Sequence, residues 1–205
     1  MNKNTIEKIC LRHTSSYRER IKFIAAACIN EYEGNFLEIG AGEGYTTLDL
    51  LKISTQYNKK TIVIDPFEDY WENIPASYGR PYPYDIFMNN VKDFSFGLIL
   101  YKEPSQTHDL CHKLQKEELI CFAYIDGLQD KNSIGQDLDL VRCLGVPVIG
   151  IDDMNRQTDI SEVPLAIDNF LKVYDDYDLE YISGMRECYL IKKDPKNNYD
   201  KYNTI

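Results

Sequence analysis

Three glycines beside an acid give the chain its first recognisable chemistry. Gly40, Gly42 and Gly44 stand between a short apolar run, Phe36 to Ile39, and a helix-like stretch from about Thr46 to Thr55. Glycine at such a turn permits a tight bend and lets a ligand come close to the backbone. Twenty-one residues beyond Gly44, at the end of TIVID, comes Asp65, where an acid can accept hydrogen bonds from ribose hydroxyls. Dinucleotides and S-adenosylmethionine both suit this plan, and the spacing separates them. The dinucleotide pattern wants a small third residue for close helix–strand packing, and Tyr45 holds that position here. Glu38, just before the turn, would oppose a pyrophosphate but suit a cationic sulfonium. The residues therefore favour S-adenosylmethionine. An NAD(P)-dependent oxidoreductase is the rival, and glycines that merely shape a turn are the plainer alternative.

A second group of acids lies at two later strand ends. Asp126 follows the apolar run Leu119 to Ile125, and Asp152 and Asp153 follow Val146 to Ile151. If those runs are neighbouring parallel strands, the three carboxylates meet at the carboxyl edge of the sheet, where ligands bind. Carboxylates so close repel unless one protonates or a cation joins them. An all-oxygen set suits Mg²⁺, Ca²⁺ or Mn²⁺, and a metal there would acidify a substrate hydroxyl. Acids that only cap helices and touch water are the competing reading. Asp130 is a reserve candidate for a general base, or else a solvated loop acid, and Asn155 is a further oxygen donor or a turn residue. His108 and His112 stand four apart on an expected helix with Cys111 between them, a zinc-compatible spacing that lacks a third ligand. His13 either enters the site from the N-terminal helix or caps it.

The elements that would position these groups alternate. Helix is expected over Ser16–Asn30, then strand and helix in turn: Phe36–Ile39, Thr46–Thr55, Thr61–Ile64, Ile86–Phe94, Gly97–Tyr101, Ser105–Glu117, Leu119–Ile125, Ile134–Leu144, Val146–Ile151 and Val163–Asp175. Strands separated by helices pair in parallel with right-handed crossovers, and their unbroken apolar runs suit burial on both faces. Leu179–Ile182 and Glu187–Lys192 flank Ser183-Gly184-Met185, too short a link for anything but an antiparallel hairpin. The expectation is an α/β protein with a Rossmann-like, doubly wound, mostly parallel sheet of seven strands, a C-terminal antiparallel hairpin and helices on both faces. One domain spans 1–193. It includes an N-terminal helical segment (1–33) and an aromatic insertion (67–96) carrying Tyr70, Trp71, Tyr78, Tyr82, Tyr84 and Phe87, and a polar tail (194–205) follows it. The insertion is too long for an ordinary connection. It reads as a lid, or as a packed cover or dimer interface; Arg80 within it would suit an anionic acceptor.

Composition removes some classes. A formal net charge of -10 opposes non-specific binding to nucleic acid or to an anionic membrane. No span suits a bilayer and no signal-like run opens the chain, so a cytoplasmic protein is expected. The six cysteines form no C-x-x-C pair and read as free buried thiols. The expected partner is a small-molecule acceptor, with homo-oligomerisation left open.

With these residues in view, the chain resembles the class I S-adenosylmethionine-dependent methyltransferases: Glu38-Ile39-Gly40-Ala41-Gly42-Glu43-Gly44 is similar to their first motif and Asp65 to their second. A closer likeness is to the macrocin-O-methyltransferase-like branch, carried by IDPFEDYW, FMNNVKDF, GLILYKEPSQ, AYIDGLQD, IGQDLDLV and GIDDMN. The resemblance covers roughly 35–155. It implies a cofactor site lined by Glu38, Gly40, Ala41, Gly42, Gly44, Tyr45, Thr46, Asp65, Pro66, Phe67, Ser105, Asp126 and Gly127. It also implies a divalent metal such as Mg²⁺ on Asp126, Asp152 and Asp153, with Asp126 or Asp130 acting in catalysis. The implied reaction is O-methylation of a sugar, polyol or small-metabolite hydroxyl. The branch carries Asp-Gly-Asp-His where this chain reads Asp126-Gly127-Leu128-Gln129. Leu128 therefore removes a candidate base and favours a rival, a binding protein whose catalytic loop has decayed.

Overall fold

The computed structural model describes residues 1–14, 16–67, 84–117, 119–154 and 162–195. Asn155, Arg80, Tyr70, Trp71, Tyr78 and Tyr82, most of the aromatic insertion and nearly all of the polar tail lie outside the described residues.

A seven-stranded sheet organises the chain, in the order β3-β2-β1-β4-β5-β7-β6. The strands are β1 (Asn35–Ile39), β2 (Thr61–Ile64), β3 (Leu98–Tyr101), β4 (Ile120–Ile125), β5 (Val148–Ile151), β6 (Tyr177–Glu180) and β7 (Cys188–Lys192). The first five pair in parallel. β7 runs antiparallel to both β5 and β6, wedged between them. The expected Rossmann-like, mostly parallel sheet with its terminal antiparallel hairpin is therefore what forms.

Alternation along the central strands divides the core. Leu37, Ile39, Ala123, Ile125, Ile149 and Ile151 face one layer, joined by residues of α5 (Leu110–Glu117), α6 (Lys131–Cys143) and α7 (Val163–Val173). Phe36, Phe122, Tyr124 and Val148 face the other, against α1 (Lys3–Arg12), α2 (Tyr17–Glu31) and α3 (Tyr45–Ser54). Both faces are thus covered, which is why these strands read as unbroken apolar runs. A smaller cluster of Phe67, Phe87, Val91, Leu51 and Val63 seats α4 (Tyr84–Val91) over β2.

Three expectations shift. α5 begins at Leu110 rather than Ser105, because Thr107 bonds back to the Pro104 carbonyl and Ser105 turns to Asp137, local bonds that compete with a helix. β6 lies two residues earlier than its apolar run suggested; Tyr177 is buried and donates its hydroxyl to the Val146 carbonyl at 2.7 Å. The cysteines are not all free, since Cys111 and Cys143 form a disulfide between α5 and the end of α6 with their Cα atoms 6.7 Å apart. The other four are free and buried. Among the described residues no helix is long and apolar enough to cross a membrane.

Candidate active site

The glycine-rich turn leaves β1 at the carboxyl edge of the sheet and enters α3. Gly40, Gly42 and Gly44 all adopt positive φ, at 81°, 53° and 82°, where a side chain costs energy. Gly40 also has a neighbour that forbids one: a Cβ would sit 2.4 Å from the Asp126 carbonyl oxygen. The turn is therefore packed against the backbone that follows β4, and Gly40 touches Asp126 and Gly127 rather than open space. Gly44 is pressed against Phe87 in the same way. It stands as the N-cap of α3 and supplies no side-chain acceptor to that helix, leaving a helix start of the kind that receives anionic ligand groups.

Asp65 holds the turn in place. One carboxylate oxygen accepts from the Ala41 and Gly42 amides, at 2.7 and 3.2 Å, and the other accepts from Phe67 N–H at 2.7 Å. Tyr45 is half exposed, with the Arg18 guanidinium 5.7 Å from its ring centre. Thr46 is buried behind it and Pro66 is partly exposed.

Two expected cofactor-lining side chains have other tasks. Glu38 is enclosed beneath the turn and accepts a bond from the Thr47 hydroxyl. Burial raises its pKa to about 8, against the pull of the Thr47 bond and with help from Asp65 and Asp49. The enclosed carboxyl is engaged by Thr47 rather than presented at the surface of the turn. Phe67 is buried, with its ring centre 5.0 Å from that of Phe87, and its backbone N–H donates to Asp65.

Ser105 reaches the same edge from the loop after β3 and donates to Asp137, toward which Gln106 also points at 3.4 Å. Asp137 is buried on α6, and desolvation raises its pKa to about 7. Its carboxylate lies 3.4 Å from where a Gly127 Cβ would stand. Asp137 was missed in the sequence, yet it carries a signal, being an acid on the helical stripe of Ile134, Leu138 and Val141 that faces the core.

The acids of β4 and β5 do converge. Asp126, Asp152 and Asp153 each offer an oxygen within 4.8 Å of the others. Asp152 and Asp153 are buried. Desolvation, then the neighbouring Asp152, pushes Asp126 well above the ordinary carboxylate range. A fourth residue, absent from the sequence reading, completes the group. Arg186, just ahead of β7, places Nε 2.7 Å from Asp152 Oδ1 and 3.0 Å from Asp153 Oδ1, with Nη2 2.5 Å from Asp152 Oδ2. Gln129 donates to the second oxygen of Asp153. The Tyr17 ring lies 5.0 Å from the guanidinium.

Other candidates fall away. Asp130 is the N-cap of α6, accepting from the Asn132 and Ser133 amides at 3.1 and 3.0 Å, so it is engaged in structure rather than poised as a base. The zinc reading loses Cys111 to its disulfide, and no group containing His108 and His112 gathers three ligands among the described residues. His13 stacks on Phe23 at 4.1 Å.

No family model and no curated protein matches the sequence. Solved structures do. The calicheamicin methyltransferase CalS11 superposes with a TM-score of 0.62 at 15% identity, covering 94% of this chain and 91% of that one. An O-methyltransferase from Bacillus cereus in complex with SAH gives 0.60 at 14%, covering 93% and 90%. The fold is a Rossmann-like methyltransferase fold. TomG from Streptomyces achromogenes, an O-methyltransferase in complex with SAM, shares this methyltransferase fold with a TM-score of 0.59 at 12%, covering 84% and 78%.

Proposed function

We propose that the protein is an S-adenosylmethionine-dependent methyltransferase acting on the hydroxyl of a small molecule. One juxtaposition carries the reading: the glycine-rich turn, tied by Asp65, lies directly against Asp126 at the carboxyl edge of β1 and β4. A cofactor turn and a group of acids thereby share one edge, at the point where the strand order reverses. The placement of β7 between β5 and β6 sets this sheet apart from the 3-2-1-4-5-6 dinucleotide order and counts against the oxidoreductase reading. Proteins of this fold that act as O-methyltransferases, CalS11 and TomG among them, add support.

The residues present fit the cofactor. Gly42 is partly exposed at the turn, Asp65 follows β2 beside it, Gly44 is the N-cap of α3, and Ser105 meets Asp137 next to Gly127. When bound, S-adenosylmethionine supplies an electrophilic methyl group on a cationic sulfur. The chain contributes position and a proton acceptor. Asp126, at the junction of turn and acid cluster, is the acceptor we assign for the hydroxyl proton, on its position against the turn. Holding donor and acceptor in line supplies much of the rate.

The test is transfer of labelled methyl groups from S-adenosylmethionine to a panel of nucleotide sugars, polyols and phenols. Turnover on at least one acceptor, reduced by about 10²-fold or more in Asp126→Asn, is expected. S-adenosylhomocysteine binding with no turnover on any acceptor would instead support the decayed binding protein that Leu128 suggests.

A further inference from the structure

The acid cluster already contains a cation. We propose that Arg186 is the resident counter-ion of Asp126, Asp152 and Asp153, and that its guanidinium, held between these acids and Tyr17, keeps divalent metal out of the cluster.

Strand register places it there. Ile151 pairs with Cys188 where the antiparallel β5–β7 ladder ends, so Arg186 and Glu187 lead into β7 beside the segment that carries Asp152 and Asp153. The two neighbours then part. Glu187 turns inward to Arg20, in an ion pair whose partners are 0% and 4% exposed and which ties β7 to α2. Arg186 turns to the carboxyl edge, where its side chain remains 45% exposed. The first pair is enclosed and structural, while the second stands in the site and meets solvent.

Arg186 and Gln129 already engage Asp152 and Asp153. Arg186 faces both oxygens of Asp152 and one of Asp153, and Gln129 takes the other. A divalent ion of the magnesium or calcium type needs several of those oxygens directly, at roughly 2.0–2.6 Å, and would first have to displace a planar fork that matches carboxylate geometry. The guanidinium stays charged at every working pH, and the Tyr17 ring, 5.0 Å away, adds a cation–π contact that holds it. On these contacts the metal expected from the sequence does not fit. An acceptor oxygen arriving at the edge would meet Arg186 N–H groups instead.

The inference concerns the cluster itself; only its corollary, methyl transfer indifferent to chelation, rests on the methyltransferase reading. The test is Mn²⁺ titration followed by electron paramagnetic resonance, on the wild-type protein and on Arg186→Gln, which keeps an N–H donor but removes the charge. Wild type should leave Mn²⁺ free up to about 1 mM, the weak end of oxygen-ligand sites. Arg186→Gln should bind one Mn²⁺ per chain at least 10-fold more tightly, and Asp152→Asn added to it should abolish that binding. Arg186→Ala, judged folded by its thermal melt, serves as a second variant. Stoichiometric Mn²⁺ binding by wild type that Asp152→Asn removes would overturn the proposal. Folded Arg186 variants that still reject Mn²⁺ would overturn it too, since something else would then exclude the metal. Absence of turnover on any acceptor would count against the enzyme and leave this result standing.

Discussion

Asp65 lies at the centre of the site because a single carboxylate fixes three backbone amides, those of Ala41, Gly42 and Phe67. Bonds of this charge-assisted kind are stronger than neutral ones, so Asp65→Ala should lower stability by about 2 kcal/mol and loosen the turn, which urea melts would register. Glu38 gives a different signature. Its unfolded carboxyl titrates near the ordinary 4.5, while burial raises the folded value to about 8. Between those values the folded protein keeps a proton that the unfolded chain has released. The associated stability is complete below about 4.5 and is lost as pH rises through about 8, with a ceiling of about 5 kcal/mol. Glu38→Gln, neutral at every pH, should therefore flatten the fall in melting temperature between pH 5 and 9; an unchanged profile would mean that other groups cause it. Residue types alone marked Gly40, Gly44, Asp65 and Asp126, the glycines because their backbone and close neighbours exclude a side chain and the acids because each directly follows a parallel strand. They did not mark Glu38 as buried, because which strand face meets α3 depends on packing, and they gave Asp130 a chemical role where it caps a helix.

At the scale of elements, the strands were legible and the loop geometry much less so. β1, β2 and β4 are apolar runs covered on both sides, a pattern that composition alone shows. α5 and β6 were misplaced because a hydrogen-bonded turn at Pro104–Thr107 and a tyrosine hydroxyl at Val146 set their limits, and neither leaves a periodic trace. The link between Cys111 and Cys143 was invisible for a similar reason: it spans 32 residues, and only the packing of α5 beside the end of α6 brings the thiols together. Cross-linking a loop of that length should stabilise the fold by about 2–4 kcal/mol. Cys143→Ser, or a reductant, should lower the melting temperature accordingly, and reductant should do nothing further to the variant. Equal melting temperatures for oxidised wild type and Cys143→Ser would show that the bond contributes nothing to stability.

For the molecule as a whole, topology decides which chemistry is brought together. β1 and β4 place the turn against Asp126, β5 adds Asp152 and Asp153, and β7, entering antiparallel from the far end of the chain, delivers Arg186 to the same edge. The sequence disclosed the first three contributions because parallel strands end in recognisable acids and glycines. It could not disclose the fourth, which exists only through a long-range register. On the proposed function, this edge binds S-adenosylmethionine. Isothermal titration calorimetry with S-adenosylhomocysteine tests it most directly: saturable binding at one site per chain, weakened at least 10-fold in Asp65→Ala, a loss of about 1.4 kcal/mol, is the predicted result. No measurable heat with S-adenosylhomocysteine or S-adenosylmethionine, together with saturation by NAD or NADP, would contradict it.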